Sequence, residues 1–269
     1  MSMTLLSALA PLAEGGGFEP PSVEEFFPDP LLFAGTPFAI NRVILVRLIA
    51  AVALCTILLV YSRRARLVPR RAQNAVEMLL DFSRKNVGEQ ILEERAGPYQ
   101  PLLATIFLGV LFMDITGIIP GLQIAGTSLI GMPLVYAVVA YIAFIVAGCK
   151  AQGTGHFFRS QLFPPGVPKL IYLLMTPIEL ISTFVIRPLT LTVRLLANMV
   201  SGHLLLVLCF LGTNALYFSM GGVGGLALGT VTLLGGIVFT AFEAFIAALQ
   251  AYIFALLTAA YIALSLESH

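Results

Sequence analysis

The sequence predicts an all-α polytopic membrane protein, and its composition supports this fold class in three ways. Hydrophobic residues make up 58% of the 269 positions, charged residues only 11%, and the mean hydropathy is +0.95. Soluble domains carry roughly 25% charged residues, so this chain lacks the polar side chains that a water-facing surface needs. The charges are also unevenly spread, and those beyond residue 100 are Asp114, Lys150, Arg159, Lys169, Glu179, Arg187, Arg194, Glu243 and Glu267. A net charge of +1 argues against a nucleic-acid-binding protein.

Five apolar segments are long enough to cross a membrane. A helix needs about 20 apolar residues to span ~30 Å of hydrocarbon. The segments that come close to or exceed this length are 43–61, 101–119, 131–148, 170–212 and 222–265. We therefore expect a single membrane domain over residues 42–269. The preceding residues 1–41 contain five acidic residues and no lysine or arginine, and we expect them to form an external tail.

The last two apolar segments are about twice as long as one crossing requires. At 1.5 Å per residue each would form a helix of ~65 Å. Either each segment breaks into two spans, or both lie steeply tilted as a helical hairpin. A break near Arg187–Pro188 would have no loop residues around it, whereas Pro177 and Pro188 can bend a helix without ending it. We predict the tilted hairpin, with the glycine-rich stretch Gly221–Gly236 at its turn and start.

An amphipathic helix is predicted over residues 66–95, between the first two crossings. Apolar residues recur there at steps of four or seven, and charged residues occupy much of the remaining surface; the apolar positions are Ala72, Val76, Leu80, Val87 and Ile91. This pattern is typical of a helix that lies at the inner membrane interface. A helix docked on a partner protein would have the same pattern, so that alternative stays open.

Lysine and arginine are concentrated in two of the connecting segments. Residues 62–100 contain eight of them and residues 149–169 contain three, whereas the stretches 120–130 and 213–221 contain none. Because cytoplasmic loops carry the excess of positive charge, we expect the N-terminus outside and the C-terminus in the cytoplasm. Arg42 and Arg47 are the only positively charged residues that contradict this orientation.

Ionisable side chains occur inside the two longest apolar segments. A charge at that depth costs from ~2.5 to above 10 kcal/mol, so such residues are usually functional. At 100° per residue, one side of a helix would carry Glu179, Arg187, Thr190, Arg194, Asn198 and Ser201. His203 falls roughly opposite Arg194, and Glu243 and Gln250 share one face of the following helix.

We interpret this pattern as two polar paths on different sides of a central arginine. Arg194 stays cationic and acts as a fixed charge, whereas His203 and the carboxylates can carry protons. A structural hydrogen bond between helices is the alternative for His203, Asn198 and Gln250, and a structural ion pair is the alternative for Arg194. For Glu243 only pairing with a cation competes with a functional role, because an unpaired buried carboxylate is too costly.

Several stretches of the chain also match a known family. RPLTLTVRLLANMVSGHLLL (Arg187–Leu206) resembles the signature of subunit a of F-type ATP synthases, the membrane stator subunit beside the rotating c-ring. In this resemblance Arg194 matches the essential arginine, Asn198 a neighbouring amide, and His203 a position held by His or Glu. The stretches VPRRAQNAVEMLLDF and FMDITGIIPG resemble further segments of the family.

The same resemblance extends to two other stretches and to one further residue. FEAFIAALQAYIFALLTAAYIALSLESH looks like the last helix of the family, with Glu243 and Gln250 at its polar positions. PIELIS resembles a segment with an inner-side glutamate, here Glu179. Asp114 falls where the family often has a polar group at the outer channel.

The resemblance implies a proton-translocating, non-catalytic chain of an enzyme complex, with no cofactor or metal of its own. Protons would enter an outer half-channel lined by His203, Glu243, Gln250 and Asn198, load a carboxylate of the c-ring, and leave by an inner path near Glu179. Arg194 would attract the ionised carboxylate and prevent leakage between the paths. The implied partners are the c-ring, b-type peripheral stalk subunits and membrane lipids. The Ala-, Gly- and Arg-rich composition favours a bacterial plasma membrane.

Two other function classes agree less well with the sequence. A secondary transporter usually shows an internal repeat of broken helices, and none is found between the halves of this chain. A membrane-embedded hydrolase or transferase would need a Ser–His pair, an HExxH motif or clustered aspartates. No Walker-type phosphate loop occurs, so ATP chemistry would take place on other subunits. The three widely spaced cysteines form no metal-binding pattern.

Overall fold

The computed structural model describes residues 40–65, 71–119, 122, 124–162, 169–218 and 222–266. The predicted external tail lies outside these ranges except for its last two residues, and it stays a prediction. Within the described ranges the α-helices are α1 Arg42–Arg64, α2 Arg71–Ser83, α3 Gln100–Ile115, α4 Gly131–Gln152, α5 Thr154–Leu162, α6 Lys169–Ile181, α7 Arg187–Phe218 and α8 Gly222–Leu266, besides a short turn at Gln90–Leu92. The predicted all-α class is confirmed.

In the described part of the chain four helices are long and apolar enough to cross a membrane: Arg42–Arg64, Gly131–Gln152, Leu174–Phe218 and Gly222–Leu266. The chain is therefore a multi-pass membrane protein. The predicted crossing at 101–119 corresponds to α3, which has 16 residues and so a length of ~24 Å. This is shorter than the ~30 Å of hydrocarbon, and the count of five crossings stays a prediction.

Both long apolar segments form continuous helices of 45 residues, with no break at Arg187–Pro188. A π-helical turn over Ser182–Ile186 joins α6 to α7, and the backbone N–H of Arg187 donates to the carbonyl oxygen of Ser182. The wider turn directly precedes Pro188, whose nitrogen has no hydrogen to donate. The helix therefore continues through the proline, as the sequence predicts.

Helices α7 and α8 lie side by side and antiparallel. The Thr213 hydroxyl donates to the Thr232 hydroxyl at 3.0 Å, and the hydroxyls of Tyr217 and Thr230 are 3.1 Å apart. Helix α8 begins at Gly222 with φ of +66°, a conformation that glycine adopts without steric cost. These contacts confirm a hairpin; its tilt in a membrane stays a prediction.

Helix α8 lies at the centre of the bundle and packs on α7, α3 and α4. Its buried face carries small residues at every fourth position, Ala247, Ala251, Ala255 and Ala259, all fully buried. Small side chains let neighbouring backbones approach closely, which is how helices in lipid gain packing energy. Helix α1 packs on α3 at the edge of this bundle.

The predicted amphipathic segment is α2 with its continuation through a π-helical turn at Arg84–Glu89. Val76, Leu79 and Leu80 are half-buried, and Ser83 and Val87 are fully buried, so the apolar stripe faces the bundle. Ala72, the first residue of the stripe, is exposed. The position of this segment at a membrane interface stays a prediction.

Candidate functional site

Glu243 lies in the middle of α8 with 7% of its surface exposed. Its Oε2 atom has no hydrogen-bond partner among the described residues. The carboxyl group packs against Gly202 of α7 so closely that a Cβ atom at position 202 would lie 2.5 Å from Glu243 Oε1. Glycine at position 202 therefore makes the room that this carboxyl group occupies. His203, the next residue on α7, is half-buried.

Asp114 lies at the end of α3 and is 1% exposed. Its Oδ1 atom accepts a hydrogen bond of 2.5 Å from the Thr127 hydroxyl, and its Oδ2 atom has no partner in the described part of the chain. The Asp114 carboxyl group interacts electrostatically with Glu243 of α8 and with Tyr136 of α4. Three helices thus bring Asp114, Glu243 and Tyr136 into one polar region.

Gln250 follows Glu243 by seven residues and is also buried. Several side chains in the described ranges have buried polar atoms without a partner, and we call four of them the buried polar set: Asp114, Ser128, Glu243 and Gln250. Each unsatisfied buried group costs ~1–3 kcal/mol, and native proteins satisfy nearly all of them with protein or water. Each of these atoms would need a water molecule or another partner to be satisfied.

Arg194 lies on the side of α7 that faces away from the other helices, and its side chain is exposed. Leu191, Leu195 and Met199 form the buried side of the same helix. No ion pair or hydrogen bond joins Arg194 to another described residue, and neither Glu179 nor Glu243 approaches it as a partner. The guanidinium is thus exposed on α7, and the apolar side chains of Leu189 and Val193 are exposed beside it.

Asn198 is half-buried one helical turn beyond Arg194, and its carbonyl oxygen accepts a hydrogen bond of 3.1 Å from the Ser201 hydroxyl. Thr190 and Ser201 are exposed. The polar residues that the sequence assigns to one side of α7 are therefore exposed or half-buried, and none of them lies in the core.

A second polar region surrounds the junction of α6 and α7. The Arg187 guanidinium lies 5.5 Å from the centre of the Tyr261 ring and interacts electrostatically with Tyr141. The hydroxyls of Tyr141 and Thr183 are buried and lack partners in the part of the chain described. Glu179 is half-buried one turn before Thr183.

Sequence reasoning did not identify Thr127, Ser128, Tyr136 or Gly202. Thr127 and Ser128 lie in a stretch without charges, and nothing in that stretch separates them from ordinary loop residues. Gly202 precedes His203, and pairing α7 with α8 could have placed this small residue opposite Glu243. Among the described residues, no group of three or more His, Cys, Asp or Glu side chains is arranged to hold a metal ion.

The sequence is similar to known proteins along most of its length. A family model described as ATP synthase A chain matches residues 44–263, which include every site residue named above. ATP synthase subunit a of Rhodococcus erythropolis is 45% identical, covering 93% of this chain and 91% of the relative. The proteins of that name from Frankia alni and Pseudarthrobacter chlorophenolicus are 39% and 34% identical, covering 94% and 98% of this chain and 88% and 100% of the relatives.

Proposed function

This chain belongs to the ATP synthase A chain family, and from this membership we propose that it is the stator subunit a of an F-type ATP synthase. In this role it conducts protons across the membrane through two offset half-channels that open onto a ring of c subunits. Arg194 lies between the half-channels. The chain itself performs no ATP chemistry, which takes place on other subunits of the complex.

The outer half-channel contains the buried polar set together with His203 and Asn198. The observation that carries this assignment is the presence of two buried carboxyl groups, Asp114 and Glu243, whose oxygen atoms Oδ2 and Oε2 have no partner among the described residues. Carboxyl groups in an apolar protein interior are costly unless water or a proton satisfies them. A file of water along these side chains would satisfy them and would also conduct protons.

Arg194 separates the two half-channels electrostatically. It has no acidic partner among the described residues, so its charge is available to a carboxylate of the c-ring. At 4 Å and an effective dielectric constant of 20, this attraction is ~4 kcal/mol. A proton crossing the membrane releases ~2.3 kcal/mol per 100 mV, and a direct leak past Arg194 would dissipate this energy without rotation.

The inner path passes Glu179 and the polar region at the junction of α6 and α7. The buried hydroxyls of Tyr141 and Thr183 lack partners in the described part of the chain, and Arg187 lies close to Tyr141. Glu179, Thr183 and Arg187 follow one another at steps of four along the chain. They provide acceptor and donor groups that a proton released from the ring can use.

The exposed face around Arg194 is the surface that meets the c-ring. Leu189 and Val193 are about half exposed beside Arg194, which leaves an apolar surface suited to helices in lipid.

The b-type stalk subunits and membrane lipids cover other parts of the molecule. We place the chain in a bacterial plasma membrane as one membrane domain over residues 42–269. Residues 1–41 lie outside, the segment 66–95 lies at the inner interface, and the C-terminus lies in the cytoplasm.

Replacing Arg194 tests this function in membranes that contain the whole complex. We expect Arg194→Ala to abolish ATP synthesis driven by a proton gradient while the complex still assembles, because the electrostatic barrier between the half-channels is lost. Arg159→Ala is the matched control, since Arg159 is exposed on α5 and is assigned to neither path. Normal ATP synthesis by Arg194→Ala would refute the assignment. Transport by the purified chain without a c-ring would favour a self-contained transporter.

A further inference from the structure

Two arginines at the start of α1 bind the loop between α3 and α4. Arg47 donates from Nε to the carbonyl oxygen of Gly126 at 2.7 Å and from Nη2 to that of Leu129 at 3.2 Å. Arg42 donates from Nη2 to the carbonyl oxygen of Leu122 at 3.1 Å. Arg42 and Arg47 are the two positive charges that contradict the orientation predicted from the loops. Their contacts explain why they occur at this end of α1, because both side chains donate to backbone carbonyl groups of a loop that contains no charged residue.

The loop is folded tightly against the end of α3, and residues 124–128 are buried. The Gly126 N–H donates to the carbonyl oxygen of Met113 at 2.9 Å. A Cβ atom at position 126 would lie 2.6 Å from Met113 Sδ and 3.5 Å from Arg47 Cγ. Gly126 is therefore held between α3 on one side and the Arg47 side chain on the other.

The residue after Gly126 reaches the buried polar set. The Thr127 hydroxyl donates to Asp114 Oδ1, which leaves Asp114 Oδ2 buried and without a partner among the residues that the structure describes. The orientation of the Asp114 carboxyl group thus depends on the position of Thr127. Gly126, the residue before Thr127 in the chain, is bound through its carbonyl oxygen by Arg47.

We propose that Arg47 is a positioning residue for proton conduction. It holds the carbonyl groups of Gly126 and Leu129 so that Thr127 keeps the Asp114 carboxyl group in one orientation, with Oδ2 available to the outer path. Arginine suits this task because its planar guanidinium can donate to two carbonyl groups at once, which a lysine ammonium does less well. This inference rests on the proposed function, since it assigns Asp114 to the outer half-channel.

The test measures passive proton flux through membranes that carry the whole membrane sector after the ATP-hydrolysing subunits are removed, normalised to the amount of this chain. We expect Arg47→Met to lower the flux about tenfold and Arg47→Lys about threefold, because lysine restores the charge but not the paired hydrogen bonds. Arg63→Met is the matched control: Arg63 is exposed at the other end of α1, and the flux should not change.

A double-mutant cycle separates positioning from general destabilisation. If Arg47 acts through Thr127, Arg47→Met combined with Thr127→Val lowers the flux no further than the stronger single variant, whereas independent effects multiply. Multiplied effects, or wild-type flux in Arg47→Met, would overturn the proposal. If Arg47→Met fails to accumulate in the membrane, the same cycle is run with Arg47→Lys.

Asp114→Asn distinguishes this inference from the proposed function. If Asp114→Asn conducts normally, Asp114 lies outside the path and the outer half-channel is wrongly assigned. If Asp114→Asn slows conduction while Arg47→Met and Thr127→Val do not, the half-channel stands and the role of Arg47 is refuted.

Discussion

Replacing Gly202 with alanine should slow proton conduction without unfolding the protein. The added Cβ atom would lie 2.5 Å from Glu243 Oε1, 3.0 Å from Cδ and 3.4 Å from Cγ. These atoms are the end of a flexible side chain, so Glu243 can turn away while the helix backbones stay in place. The carboxyl group would then leave the position that we assign to the outer path.

The expected magnitude follows from two opposing effects of the substitution. Overpacking in a close contact costs ~1–3 kcal/mol, whereas alanine is favoured over glycine inside a helix by up to ~1 kcal/mol. The net change in stability is therefore small. If the displaced carboxyl group must recover its native position for each proton transferred, a cost of ~1.4 kcal/mol lowers the proton flux about tenfold.

The assay is passive proton flux through membranes that contain the assembled complex but not its ATP-hydrolysing subunits, normalised to the amount of this chain. Gly212→Ala is the matched control, because it makes the same change on the same helix and its Cβ atom would meet nothing within 4 Å. We expect Gly212→Ala to conduct like the parent protein. Equal flux in Gly202→Ala and the parent protein, or an equal loss in both variants, would refute the reasoning.

Two further substitutions test separate parts of the structure. Glu243→Gln removes the titratable group while keeping the shape of the side chain, so the same assay should show a large loss of proton flux. Glu94→Gln is the control, because Glu94 is an exposed acid outside the proposed path, and its proton flux should not change. Unchanged flux in Glu243→Gln would exclude the Glu243 carboxyl group from the path. Gly148→Ala places a Cβ atom against the Phe157 ring, which is fixed between Phe144 and Phe158 at centroid distances of 5.5 and 5.4 Å. We expect a destabilisation of ~1–3 kcal/mol, seen as a lower unfolding temperature of the purified chain in detergent. Gly155→Ala, with nothing within 4 Å, serves as its control, and an unchanged unfolding temperature in Gly148→Ala would contradict the packing of α4 on α5.

The position of Arg194 has an energetic consequence for the isolated chain. An arginine at membrane depth without an acidic partner costs several kcal/mol, depending on how far water and lipid headgroups reach it. Its exposure on α7, away from Glu179 and Glu243, means that this chain does not neutralise the charge with its own described acids. A partner that brings a carboxylate to this face would remove the cost, which agrees with a ring of acidic sites beside it.

The long apolar helices could be predicted from the sequence because they depend on local properties, whereas the short helix α5 was not predicted and α3 is shorter than expected. Runs of apolar residues set where α1, α4, α7 and α8 lie, and the absence of loop residues around Pro188 predicted that the helix continues through it. The candidate residues on α7 and α8 were recognised because ionisable groups are rare in apolar segments, and because the stretch around Arg194 has a specific pattern.

Only the tertiary structure decided which of these residues lie together. Asp114 and Glu243 are 129 positions apart in the chain, and their proximity depends on how α3 packs against α8. Gly202 gains its role from the carboxyl group opposite it, and Thr127 and Arg47 gain theirs from the fold of an uncharged loop. Hydrophobicity and periodicity describe a residue and its near neighbours in the sequence, so they predict the helices. Contacts between distant segments depend on side-chain shape and hydrogen-bond geometry, and these contacts form only when the helices pack together.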